Sequence, residues 1–144
     1  MHTPMKLAMP CCFVLVSTLV LSACQTQCTP EGNAQNSGVV VDAVGEYTLV
    51  SVDGKIVPAT VSHDGSSLQV RSGKFSINAD GSCSTTTVFV PPNGKEVARE
   101  VSAKYTQAGA TLTMTWKGAG MTCGTIEGKT FTMNNEGMLF VYTK

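Results

Sequence analysis

The residues that could do chemistry in this 144-residue chain are few. Gly124-Thr125-Ile126-Glu127-Gly128-Lys129-Thr130 has the outline of a phosphate-cradling loop, in which glycine N–H groups and a lysine wrap the phosphates of a nucleotide. It is one residue short of that pattern, and it joins strand to strand rather than strand to helix, so Gly128-Lys129 is expected to be a hairpin turn. His63 is the only histidine beyond residue 2, which leaves no material for a histidine-based triad or a multi-histidine metal site. Asp53, Asp64 and Asp80 each precede a glycine, the chemistry of turns rather than of paired acid and base. No G-x-S-x-G elbow is present. These absences point away from an enzyme, and no cofactor or metal is expected.

Three softer signals remain. Met114, Met121, Met133 and Met138 fall on four nearby strands, where thioethers could hold Cu(I); filling a small core explains them more simply. Arg99 shares a strand face with Val97, Val101, Ala103 and Tyr105, where an unpaired charge is costly. Either it faces a lumen and meets an acidic ligand head group, or it sits near a rim, five residues past the Gly94 turn, and its stem reaches water. Arg99, Tyr105 and Trp116 are therefore the residues expected to touch a ligand, if the domain holds one.

The elements that position these residues are strands. Turn signals at Asp53-Gly54, 63–66, 78–81, 91–94, 107–109, 128–129 and 134–137 separate apolar-alternating runs at 46–52, 55–61, 67–77, 82–90, 97–105, 111–117, 121–127, 130–134 and 138–143. In 67–77 the apolar parity switches at Ser72-Gly73, so a bulge or bend belongs there. Eight or nine strands with hairpin-short links and no helix predict one all-β domain, an antiparallel up-and-down barrel of about eight strands.

The first 44 residues read differently. Lys6, an apolar run over 13–21 and small residues before a cysteine have the layout of a secretory signal, and the run is too short to span a bilayer; the start could equally be Met5. Leu21-Ser22-Ala23-Cys24 resembles a bacterial lipobox, which implies that Cys24 is lipidated and becomes the first residue after cleavage of 1–23. An ordinary secretion signal is the alternative. Residues 24–44 are polar and read as a flexible tether, leaving 45–144 as the domain. Gln25 is not the aspartate associated with inner-membrane retention, so by analogy the expected location is the cell envelope, in the outer membrane facing the periplasm if the host is Gram-negative. Lys6 is the only charged residue of 1–23; the remainder is nearly neutral, without the basic patch that nucleic acid requires.

Export also bears on the cysteines, because disulfides persist outside the cytosol. Cys83 and Cys123 lie within the folded part. If Phe89 and Met121 point inward, both thiols do too, and a bridge between them closing about 40 residues would add roughly 3–4 kcal/mol. Two separate thiols, or a pair made by Cys28 of the tether, are the alternatives.

Gly45-Glu46-Tyr47-Thr48-Leu49-Val50-Ser51-Val52-Asp53-Gly54-Lys55-Ile56-Val57-Pro58 resembles the opening of small lipocalin-like domains of bacterial lipoproteins. Gly73 to Ile77, Asp80-Gly81-Ser82, the strand from Val101, the 124–133 hairpin and Leu139-Phe140-Val141-Tyr142 continue the likeness over 45–144, although Tyr47 stands where the family often has Trp. The resemblance implies a β-barrel with an apolar-ligand pocket and no catalytic residues. The expectation is thus a lipid-anchored envelope lipoprotein, a membrane partner through its anchor, binding a small apolar ligand or an envelope protein. An inhibitor of an envelope hydrolase (protease or lysozyme) and a purely structural lipoprotein are the alternatives.

Overall fold

The computed structural model describes residues 41–144. They form ten strands and, among the described residues, no helix: β1 (Gly45–Val52), β2 (Lys55–Ile56), β3 (Ala59–His63), β4 (Ser66–Ile77), β5 (Ser82–Val90), β6 (Val97–Ala108), β7 (Thr111–Trp116), β8 (Gly120–Glu127), β9 (Thr130–Asn135) and β10 (Met138–Thr143). Every pairing is antiparallel, and from β4 to β10 each strand pairs with the next in sequence. β1 then pairs with β10 on one side and β4 on the other, which closes an eight-stranded up-and-down barrel. Closure leaves no long exposed strand edge.

Hairpin chemistry sets the registers. Asp53-Gly54, Asp64-Gly65 and Glu136-Gly137 all take positive φ at both positions, the conformation whose twist matches the flanking strands. The expected run at 55–61 is instead two short strands, because Pro58 has no N–H to donate and interrupts the pairing. These two are the strands outside the barrel. β4 pairs with β3 through Val70 and with β1 from Lys74 onward, and its register against β5 shifts between Val70 and Ser72. That is the bulge the parity switch predicts. β1 has a matching shift between Leu49 and Ser51, so the two strands diverge and β2 and β3 fill the gap.

The two ends of the barrel differ. At one end residues 41–44 pack underneath it, although composition assigns them to the tether. Ala43 is buried, and its carbonyl accepts from the Tyr47 hydroxyl at 2.8 Å. Gln107 Nε2 donates to the Val41 carbonyl at 2.7 Å, and Lys144 Nζ donates to the carbonyls of Asp42 and Val44, each at 3.0 Å. The Lys144 ammonium also stands 5.0 Å from the centroid of the Tyr47 ring. Above this plug lies the densest part of the core. Phe75 and Phe131 are 4.6 Å apart between ring centroids, with Tyr47, Tyr142 and Trp116 around them. Met114 and Met133 are fully buried in the same core, as gap-filling thioethers are.

Candidate functional site

Because the aromatic cluster fills only the closed half, the other half of the barrel is open. A cavity of about 750 Å³ lies there, at the end formed by the starts of β4, β6, β8 and β10 and the ends of β5, β7 and β9. That volume falls in the range of small-molecule sites, roughly 300–1,000 Å³. Its floor is the upper surface of the aromatic cluster, Trp116 and Tyr142, and its walls include Val70, Phe89, Met133 and Phe140.

Several of the polar groups inside are bonded within the protein. Trp116 Nε1 donates to Thr122 Oγ1 at 2.9 Å, and that hydroxyl donates to Asn135 Oδ1 at 3.3 Å. Thr85 Oγ1 donates to the Lys74 carbonyl at 3.1 Å and also partners the Tyr142 hydroxyl. Burial pushes the Tyr142 phenol up to about 12, so it remains neutral. No buried side-chain nitrogen or oxygen among the described residues lacks a partner. The Trp116 N–H and the Thr122 and Tyr142 hydroxyls are thus engaged within the protein, and the surface beside them is apolar along Val70, Phe89, Met133 and Phe140.

The expected ligand-contacting residues divide between the two ends. Trp116 is part of the cavity floor. Arg99 lines the mouth and is exposed, so it takes the rim position while still facing the opening. Tyr105 lies on the same strand face but at the closed end, where its hydroxyl donates to the Asn78 carbonyl at 2.7 Å; it does not line the cavity. Burial raises its pKa as well. Phe89, Met133 and Phe140 carry no signal that separates a cavity wall from a packed core. Thr122 and Asn135 are no different in sequence from turn and strand residues elsewhere.

The bridge expected between Cys83 and Cys123 is not formed. Cys83 is a free thiol, only 1% exposed, on the inner face of β5. The inner face of β8 is Thr122, Gly124 and Ile126, whereas Met121 is 53% exposed and Cys123 shares its outward parity. With β6 and β7 between their strands, the two cysteines stand on opposite faces of the wall. Burial pushes the Cys83 thiol up to about 11.

The remaining motifs also find places. Residues 124–130 form the β8–β9 hairpin at the closed end, with Gly124 buried beneath Phe131, so its glycines offer no phosphate cradle. Asp80 caps its own turn: it accepts from the Ser82 hydroxyl at 2.6 Å and the Ser82 N–H at 2.9 Å, which hold its carboxyl below the usual value. His63 reaches the mouth, its Nε2 3.4 Å from both Asp64 Oδ2 and Glu136 Oε2. Among the described residues no group of three or more His, Cys, Asp or Glu could hold a metal ion. The signal segment, the Cys24 lipidation site, Cys28 and the tether up to residue 40 lie outside the described residues. No protein family, curated protein or solved structure matches the chain.

Proposed function

We propose that this protein is a lipid-anchored envelope lipoprotein whose barrel binds a small, largely apolar ligand in its open half. The observation that carries the binding reading is the cavity of about 750 Å³ over the Trp116 and Tyr142 floor. Closing the barrel with side chains alone would have given a continuous core and more stability. Instead the aromatic packing stops halfway, and the space above it is walled largely by apolar side chains such as Val70, Phe89, Met133 and Phe140. The anchor rests on Leu21-Ser22-Ala23-Cys24 and the apolar run before it. The likeness to lipocalin-like domains of lipoproteins, carried by the motifs from Gly45 to Tyr142, agrees with both parts.

Ligand binding is tested by native mass spectrometry of the protein purified from an envelope extract. A retained small molecule that leaves on denaturation supports the reading; a bare polypeptide mass that no added amphiphile shifts overturns it. The anchor is tested separately by detergent-phase partition. Wild-type protein should enter the detergent phase and Cys24→Ser should not; wild-type protein in the aqueous phase overturns the anchor alone.

One feature favours a second use of the same end. Ile56, Leu139 and Met121 are apolar and exposed, and all three lie toward the mouth rather than the plug. They support presentation of the rim to an envelope protein, which a protein adduct in the same spectrum would report.

A further inference from the structure

We infer that the ligand is an anionic amphiphile, an alkyl carboxylate in chemical class, with its carboxylate at Arg99 and Lys117 and its chain running down to the floor. This rests on the binding reading above and adds the charge and direction of the ligand. Charge at the mouth is divided between two sides. On one side Glu136 has the His63 imidazole 3.4 Å away as a neighbour. On the other side are two cations, Arg99 on β6 and Lys117 just after β7. β6 and β7 are paired neighbours, with Ala103 opposite Trp116, so the two cations stand on adjacent strands at the same end of the barrel. Neither has a carboxylate within 4.0 Å among the described residues, where His63 makes the only ion pairs. Glu100, next to Arg99, falls on the other parity of β6 and does not line the cavity.

The interior selects the other half of the molecule. Near the floor the Trp116 indole N–H, the Thr85 and Thr122 hydroxyls and the Asn135 amide oxygen are already engaged within the protein, so a polar group carried down there would lose water and find few partners. Hydrocarbon loses nothing by the same transfer and gains from leaving water. An anion left at the mouth meets two unmatched donors, one of them a guanidinium whose fork fits a carboxylate. A cation there meets like charge.

Trp116 is the only tryptophan of the chain and forms part of the floor, so its emission reports occupancy directly. The purified protein is titrated with decanoate, decan-1-ol and decylammonium below their micellar concentrations. The expected order is decanoate first, about tenfold tighter than the alcohol, and the ammonium weakest. Replacing both Arg99→Gln and Lys117→Gln should bring decanoate down to the alcohol while leaving the alcohol unchanged, which also shows that the variant keeps its cavity. Equal affinity for all three probes, or a decanoate preference that survives the double variant, overturns the inference and leaves the binding reading standing. No response to any of the three overturns both.

Discussion

Phe131 lays its ring across Gly124, so that the two residues share the space of one side chain. A Cβ at Gly124 would fall inside the ring's van der Waals envelope and 3.0 Å from the Thr132 carbonyl oxygen. The ring cannot swing aside, because Phe75, Tyr47 and Tyr142 hold it at centroid distances of 4.6, 5.9 and 5.9 Å. Gly124→Ala should therefore lower the stability measured by urea unfolding by about 1–3 kcal/mol, the usual cost of overpacking. The same substitution in a Phe131→Leu background should cost clearly less. Strictly additive effects would mean that the ring is not what excludes the methyl group.

Cys83 supplies a prediction about reactivity. A thiol 1% exposed, with its pKa pushed up to about 11, should resist a thiol reagent in the native protein and react in full on unfolding. Non-reducing peptide maps should contain no peptide linking it to Cys123. Such a peptide in appreciable yield would contradict the placement of the two on opposite faces.

Alkaline pH follows from the same burial. Below pH 9 the Cys83 thiol is protonated in both states and stability does not depend on it. As pH rises from 9 toward about 11, the unfolded chain releases a proton that the folded chain retains, so stability falls. Tyr142 adds a second decline between 10 and about 12. Urea midpoints measured from pH 8 upward should be flat at first and then drop, and Cys83→Ala should remove the earlier part of the drop. A drop unchanged in that variant would assign it elsewhere.

The Thr122 hydroxyl connects the floor to the wall. Thr122→Val keeps the shape but leaves the Trp116 N–H buried without an acceptor, at a cost of about 1–3 kcal/mol. Thr122→Ser retains the hydroxyl and should keep the Trp116 emission of the wild type, whereas the valine variant should change it. Identical spectra for the two would place the indole N–H with another partner.

Asp53 ties the β1–β2 turn to β10. Its N–H donates to the Leu139 carbonyl and its carboxylate accepts from the Leu139 N–H, each at 2.8 Å, from a left-handed conformation at φ 49°. Asp53→Asn preserves both the acceptor and the tolerance of positive φ and should change stability by less than about 0.5 kcal/mol. Asp53→Ala loses both and should cost about 1–2 kcal/mol by urea unfolding.

Strands and turns were legible because they are local. The alternation over 97–105 and the Asp-Gly dipeptides state a pleat and a hairpin within a few residues, and the parity switch at Ser72-Gly73 marks the bend in β4. β8 was not legible in the same way. Its inward face carries Thr122, Gly124 and Ile126, and its outward face Met121 and Cys123, so hydrophobicity alone chose the wrong side. What reverses it is the Phe131 ring, which needs the glycine beneath it. Parity also cannot tell one end of a strand from the other. It put Tyr105 and Arg99 on one face correctly, yet one binds the Asn78 carbonyl at the plug and the other stands at the mouth. Which half of the barrel is filled depends on where five aromatic rings meet, and they come from β1, β4, β7, β9 and β10.

The plug has a directional consequence. Residues 41–44 and Lys144 are held together beneath the barrel, so the chain passes into it and out of it through the same face. The cavity opens through the opposite one. The segment before Val41 therefore joins the barrel at its closed base, on the far side from the mouth. A molecule that arrives at the base must travel the full height of the wall to find the opening, whereas one arriving at the other end meets it directly.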